Sequence, residues 1–421
     1  MTGAGDTQSL RHPHYLRLLV GSVLIAVPAA IASYLFVKAF QGLADLLWDV
    51  IPDALGANPG GWWTLLITVV GGVAVGAIVR YAPGHGGPGP ADGHGIGGDG
   101  DGDAKEQARA IPGLIVAAIV SLGCGASLGP EMPLFALLGL VGGAVALALR
   151  LPSDMVPTLS LAAIAAMLGA IFGSPLAGAI LYLEVAPFAG PELYARLMPA
   201  LLASTAGYAT YKALAGAPFA SFDLPAYGGF ETVDILWALG IGLAGAAIGI
   251  ALIYGFRALD RAVEPLRTRP ILLGAIGGVG IGAIALGAGN LTLFSGEHEI
   301  EHLLEHPEST GTLLLLAGGK LVAIAVALAT GFRGGRVFPL FFVGAALGLA
   351  LAELTTVPPA LAVACGMVSV AIPAMRLPLF LILIVAFFTS PEMLPLLVIS
   401  GVAAYVLSHD RPELRDAPQH A

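Results

Sequence analysis

The residues best placed for chemistry lie in two short stretches that share one pattern. Gly129-Pro130-Glu131-Met132-Pro133-Leu134-Phe135 and Gly335-Arg336-Val337-Phe338-Pro339-Leu340-Phe341 both read G-x-x-x-P-L-F, and each leads into an apolar run containing glycines. The offset, 335 − 129 = 206 residues, is close to half of the 421-residue chain. Each copy follows a glycine-rich interruption, Gly123-Cys124-Gly125 in the first and Gly331-Phe332-Arg333-Gly334 in the second. A helix interrupted in an apolar medium exposes amide N–H groups that need partners. At a helix start these carry roughly half a positive charge, so an anion is a natural ligand and no full cationic side chain is required. Pro133 and Pro339 suit a first helical turn, where the missing N–H breaks no hydrogen bond. Two such starts, near 129–133 and 335–339, can converge on one anion. Chance in a glycine-rich chain also yields short matches, but paired breaks in two halves are the mark of a repeat transporter with its site at the repeat interface.

Glu131 lies inside the first stretch, and a carboxylate deep in an apolar segment is a functional candidate. Ionised at a helix start, it is itself the anion the amides attract, and it blocks the site. Protonated, or displaced by another anion, it swings away. It reads equally as an ordinary charge complementing the helix dipole at a water-facing end; spacing does not separate the two.

A second chemistry is written at His298-Glu299-Ile300-Glu301-His302, which matches H-E-x-x-H. Two histidines at i and i+4 share a helix face, with a glutamate placed as general base, as in zinc proteases. Against an intramembrane metalloprotease stand the polarity of 297–308, the missing H-x-x-G-x-x-H extension and the lack of an evident third ligand. An amphipathic surface helix accounts for the same residues. The acidic, glycine-rich run to Asp103, with Asp92, His94, Asp99 and Asp101, reads as a solvated linker rather than a cation site. Glu184 and Glu353 read as capping or pairing groups near helix ends. Lys320 reads as a snorkelling or structurally paired cation, and Trp62 and Trp63 as interfacial anchors.

The surrounding chain must hold these groups in a bilayer. Charged residues make up 11%, less than half the ~25% of a globular protein, while hydrophobic residues reach 57%. The 58 glycines suit small-residue contacts between membrane helices. A mean hydropathy of +0.87 excludes a disordered chain. Net charge is −9, so a nucleic-acid partner is not expected. Apolar stretches run near 18–37, 63–82, 111–149, 156–186, 193–215, 233–256, 271–289, 311–330, 337–354, 357–374 and 377–408. A span needs roughly 20 residues, so the longer stretches must hold two helices or a broken one. They lack the period-2 alternation of a membrane barrel. Arginines gather at Arg11 and Arg17, at Arg257, Arg261, Arg267 and Arg269, and at Arg411 and Arg415. The positive-inside rule places all three groups, and both termini, in the cytoplasm. Ala30-Ile31-Ala32 resembles a signal-peptidase site, but an uncleaved first span is the preferred reading. Cys124 and Cys365 read as small packing residues.

The chain resembles the CLC family of chloride channels and chloride/proton antiporters from about residue 15 to about 408. Gly129-Pro130-Glu131-Met132-Pro133 resembles G-K/R-E-G-P, whose glutamate is the external gate, and Gly335-Arg336-Val337-Phe338-Pro339 resembles G-x-F-x-P, whose amides bind the anion. Gly84-His85-Gly86-Gly87-Pro88 resembles G-S-G-I-P, whose serine is an anion ligand. Phe172-Gly173-Ser174-Pro175-Leu176-Ala177-Gly178 through Glu184 resembles F-N-A-P-L-A-G…E-E, and Lys320-Leu321 also fits. The departures bear on mechanism. His85 stands in place of the serine, Pro130 in place of the basic residue, Met132 in place of the second glycine and Val337 in place of the phenylalanine. Glu184 is followed by Val185 where antiporter members carry an inner proton-carrying glutamate. The family's tyrosine ligand has no counterpart in register, Tyr405 being nearest.

The resemblance implies an all-α integral membrane protein, a CLC-like inverted repeat of tilted and broken helices. The expected organisation is a cytoplasmic tail at 1–14, a first half at 15–216, a connecting loop at 217–230, a second half at 231–408 and a short tail at 409–421. It implies a homodimer with one pore per subunit, carrying a small inorganic anion, chloride first. Glu131 is the expected gate, and His85, Gly129, Arg336, Val337 and Phe338 the expected anion-binding residues. No enzyme activity, cofactor or metal is called for. Without an inner carboxylate at 185, uncoupled, channel-like conduction is the expected mode, with a proton-coupled exchanger as the alternative.

Overall fold

The computed structural model describes residues 13–56, 61–83, 104–148, 156–185 and 190–414. Sixteen α-helices occur among them: α1 (Pro13–Asp45), α2 (Ile51–Leu55), α3 (Trp62–Tyr81), α4 (Ala104–Gly123), α5 (Glu131–Ala148), α6 (Val156–Phe172), α7 (Ala177–Val185), α8 (Gly190–Ala215), α9 (Thr232–Val263), α10 (Pro270–Ala288), α11 (Glu297–Glu305), α12 (Thr310–Ala329), α13 (Val337–Leu354), α14 (Pro359–Met375), α15 (Pro378–Ala386) and α16 (Leu394–Ser408). No strand occurs among the described residues; the extended pairing is an isolated antiparallel bridge between Gly129 and Gly335. Among the described residues, seven helical stretches are long and apolar enough to cross a membrane, and four shorter apolar helices accompany them.

The over-long apolar stretches resolve as the length argument requires. The stretch at 111–149 is cut into α4 and α5, that at 156–186 into α6 and α7, and that at 377–408 into α15 and α16. Between α6 and α7 the chain turns at Gly173 (φ 67°), and the Ser174 hydroxyl accepts the Leu176 amide at 3.2 Å. The first apolar stretch is instead longer than its hydropathy suggests, since α1 runs for 33 residues straight through Ala30–Ala32.

The chain divides into two compact units. One holds the start of α1, α5 from Leu134, and α6 to α8. Here small residues set the spacing: a Cβ at Gly169 would strike Ser204, one at Gly207 would strike Ala166, and one at Gly178 would strike Ala165. The Ser204 hydroxyl accepts from the Gly178 amide and donates to the Ser174 carbonyl, both at 3.3 Å. Ala165, Ala179, Tyr182, Leu197 and Ala200 close this core.

The other unit holds α3, α4, the first residues of α5 and everything from Phe222 onward. Gly72 and Gly274 let α3 and α10 cross backbone to backbone, and Gly344 and Gly366 do the same for α13 and α14. In a bilayer, where lipid competes equally for apolar side chains, such close backbone approach is what holds helices together. At one end of this unit the residues after α16 are held by α9 and by the end of α14. Arg257 donates to the Glu413 carbonyl at 3.0 Å, and Arg376 donates to the Arg411 carbonyl at 2.6 Å.

Candidate functional site

The two interruptions are duplicates in three dimensions as well as in sequence. Helix α4 ends at Gly123 and α12 at Ala329; α5 starts at Glu131 and α13 at Val337. Each pair is separated by the same 206 residues that separate Glu131 from its hydrogen-bond partner Val337. Two turn bonds repeat at that spacing. Cys124 N–H donates to Val120 and Thr330 N–H to Val326, each at 3.0 Å, while Ala126 donates to Ser121 at 2.9 Å and Phe332 to Ala327 at 3.1 Å. Gly125 and Gly331 share φ 88°, a region where any other L-residue costs roughly 1–2 kcal/mol. The copies then meet: Gly129 N–H donates to the Gly335 carbonyl at 2.8 Å, and Gly335 N–H donates back at 2.5 Å. That reciprocal bridge sits at the centre of a local two-fold and places the starts of α5 and α13 side by side.

Glu131 breaks the symmetry, because its counterpart is Val337. Its side chain is 1% exposed, which removes the water-facing reading. The Val337 amide donates to Oε1 at 2.7 Å, and the Arg336 amide and guanidinium lie within electrostatic reach of the same carboxylate. Oε2 is buried without a hydrogen-bond partner among the described residues. A buried carboxylate oxygen left unpaired costs on the order of 1–3 kcal/mol, which marks a group held for something other than stability. Both bridging glycines are required by this pose, since a Cβ at Gly129 or Gly335 would collide with the Glu131 carboxyl. The amides at the start of α13 are those of Arg336, Val337 and Phe338, because Pro339 has no N–H and Leu340 N–H already bonds the Arg336 carbonyl at 3.2 Å. Val337 and Phe338 are 2% and 0% exposed.

The arrangement is a buried carboxylate occupying the amide end of an interrupted helix, in a chain built to span a membrane. The family model described as "Voltage gated chloride channel" matches residues 70–409. The chain belongs to this family. Curated relatives described as "Putative ion-transport protein YfeO", from Escherichia coli (strain SMS-3-5 / SECEC) and Escherichia fergusonii, are 33% identical over 409 residues, covering 94% of this chain and 94% of each relative. A slow cyanobacterial Cl−/H+ antiporter superposes with a TM-score of 0.81 at 20% identity, covering 95% of this chain and 96% of that one. A CLC-type fluoride/proton antiporter superposes at 0.76 and 23% identity, covering 93% and 95%. These structures establish a CLC fold, and the protein is a multi-pass membrane protein of that family.

The remaining sequence candidates fall as follows. His85, Asp92, His94, Asp99, Asp101 and Asp103 lie outside the described residues. The Gly129 amide donates to the Gly335 carbonyl, and the absence of a Cβ at Gly129 leaves room for the Glu131 carboxyl. Lys320 does not snorkel. It is 0% exposed and donates to backbone carbonyls of Leu291, Leu293 and Phe294. Glu353 is exposed and accepts from the Thr310 hydroxyl at the start of α12, a helix-end contact as anticipated. Of the tryptophan pair, Trp62 faces outward at 63% exposure, while Trp63 is buried and donates to the Leu47 carbonyl at 3.0 Å. Cys124 and Cys365 are buried free thiols, and a Cβ at Gly71 would collide with Cys124. Ser121 escaped notice: its hydroxyl accepts the Arg333 amide at 2.9 Å and so ties α4 to the second break. A lone serine in an apolar run carries no signal for that.

The H-E-x-x-H residues form α11, which buries Glu297, Ile300 and Leu303 and leaves His298 exposed. His298 Nε2 pairs with Glu297 at 3.0 Å and Nδ1 approaches Glu301 at 3.7 Å, while His302 stacks on His306. The two motif histidines are thus engaged with different partners, the amphipathic-helix outcome. The bond to Glu297 raises the His298 pKa from its ordinary 6.5 to about 9. A raised folded-state value means the pair stabilises fully below pH 6.5 and fades as pH climbs through about 9. His298→Gln is therefore expected to lower thermal stability slightly at pH 6, by less than about 1 kcal/mol given its exposure, and to change nothing at pH 10. Melting curves of both proteins at the two pH values check this; an equal loss at both would assign the effect to packing.

Proposed function

We propose that the protein conducts a small inorganic anion, chloride first, through a pore in which Glu131 is the gate. The observation that carries this reading is the Val337 amide donating to the buried Glu131 carboxylate at 2.7 Å across the two repeats. A carboxylate stands where a permeant anion would sit, and the donors are backbone amides whose hold is strong enough to admit an ion yet weak enough to release it. Protonation or competition by an incoming anion removes the carboxylate and leaves the amides of Arg336, Val337 and Phe338 to the passenger. In this reading the halves are 15–216 and 231–408, the protein is a homodimer with one pore per subunit, and both termini are cytoplasmic. The contact between Arg257 and the Glu413 backbone supports one shared side for two arginine groups.

Uncoupled conduction is favoured because Glu184 is followed by Val185, so a proton leaving Glu131 lacks the inner carboxylate that antiporter members carry. The exchanger reading draws on the two structural neighbours described as proton antiporters. Simultaneous halide and proton recording from proteoliposomes at fixed potential separates them. The expected result is chloride flux with no proton movement against its gradient, and fluoride, nitrate and bromide competed in the same assay rank the preference. Proton movement driven uphill by a chloride gradient would overturn the uncoupled mode, and absence of any anion flux would overturn the transport reading.

A further inference from the structure

Helix α11 and the turn after it carry a third histidine that the H-E-x-x-H spacing leaves out. His298, His302 and His306 fall at four-residue intervals, and from Glu297 to Ser309 the chain has five glutamates and no lysine or arginine. His298 is already engaged. Its Nε2 pairs with Glu297 at 3.0 Å and lies 3.4 Å from the Gln41 amide nitrogen, while Nδ1 faces Glu301 at 3.7 Å. His302 and His306 instead face each other. Their rings stack with centroids 4.5 Å apart and planes 23° from parallel. The His306 amide donates to the His302 carbonyl at 2.9 Å, and Nδ1 of the same residue lies 3.3 Å from that carbonyl. A carbonyl only accepts, so this contact puts the ring proton on Nδ1 and leaves the Nε2 lone pair of His306 free. A metal-ligating imidazole is ordinarily set in this way, its other nitrogen donating to a carbonyl or carboxylate. Both rings are exposed, on a helix outside the candidate membrane spans.

We propose that His302 and His306 form a surface site for a divalent transition-metal ion, Zn2+ first. Imidazole nitrogen suits Zn2+, Cu2+ and Ni2+, whereas Mg2+ and Ca2+ prefer oxygen ligands. Rings already this close need only side-chain rotation to bring a nitrogen of each to the ~2.0–2.1 Å of a Zn–N bond. Among the described residues no three His, Cys, Asp or Glu side chains converge in a metal-binding arrangement, so water completes the coordination. The site is therefore an open, reversible one rather than a closed structural centre. The glutamates along 297–309 add a negative potential that draws a divalent cation to the pair. A bound ion fastens the last turn of α11 to the residue that opens the connection to α12.

The test uses the full chain in detergent, with zinc chloride as the probe, read by equilibrium dialysis with metal analysis and by melting temperature. Wild type should melt higher with zinc, the rise should grow with zinc concentration as mass action requires, and EDTA should reverse it. His302→Ala and His306→Ala should each weaken zinc binding at this site by about tenfold or more, the loss expected when a ligand is removed, and should lose the melting shift. Glutamine at either position, which keeps a polar surface without the imidazole, should give the same loss. Both side chains are exposed, so all four variants should melt like wild type without zinc. His298→Ala should retain the zinc response, and magnesium chloride should produce none. Zinc binding that is equal in wild type, His302→Ala and His306→Ala would belong to histidines elsewhere in the chain and overturns the proposal. Absence of bound zinc overturns it as well, and so does a loss confined to one of the two variants or an equal loss in His298→Ala. Neither readout involves anion flux, so this site and the transport reading stand or fall separately.

Discussion

Replacing Glu131 with glutamine or alanine is expected to abolish the pH dependence of anion flux while leaving permeation intact. In the wild type, flux should rise as pH falls, because the ionised carboxylate is the species that fills the amide site and acid removes it. A hydrogen bond to a charged acceptor is worth about 1.5–3 kcal/mol, so losing the competitor should raise flux near neutral pH roughly tenfold to a hundredfold. Alanine removes the group outright. Glutamine keeps the size and an acceptor oxygen but loses the charge, so it should sit nearer to the acid-opened wild type. The measurement is chloride efflux from proteoliposomes at pH values from 4 to 8. Unchanged pH dependence in both variants would leave Glu131 as a helix-start group without a gating role. The geometry argues against that outcome, since a purely structural carboxylate would not leave Oε2 buried and unpaired.

What was readable from the sequence divides along physical lines. The breaks were legible because glycine and proline punctuate backbone in a way that survives any packing, and the 206-residue offset therefore carried directly into duplicated turns. Glu131 was legible because a carboxylate is too costly in an apolar run to persist there without a use. The reciprocal Gly129–Gly335 bridge was not, since two glycines are silent about which amide pairs with which carbonyl. Trp63 shows the same limit on a small scale, since hydropathy marks an interface residue but not which helix face it is on.

Lys320→Met is expected to be among the most damaging single changes in the chain, and the reason lies in what its ammonium group holds together. The Nζ donates to Leu291 at 3.3 Å and Phe294 at 3.0 Å, bonds the Leu293 carbonyl as well, and lies 4.8 Å from the Phe342 ring centre. Those carbonyls belong to an irregular link in which Phe294 adopts φ 58°, a conformation the chain does not take without being held. The link touches the first break and the start of α13. Phe294 N–H donates to the Gly125 carbonyl at 3.2 Å, and its ring meets Trp48, whose indole N–H bonds the Gly123 carbonyl at 3.0 Å. Two residues on, Gly296 lies so close to α13 that a Cβ there would sit 3.0 Å from the Phe342 side chain and 3.1 Å from the Phe338 carbonyl. One buried cation thus fixes a loop that braces the first break and the start of α13. Methionine preserves most of the volume, so the loss is chiefly three buried carbonyls without a donor, about 3–5 kcal/mol on the scale of a broken buried ionic contact. The variant should melt far below the wild type in detergent, and any folded fraction should show weakened, poorly pH-gated chloride flux because the α13 amides are no longer held in register with Glu131. A wild-type melting temperature would show that the loop is held by its other contacts.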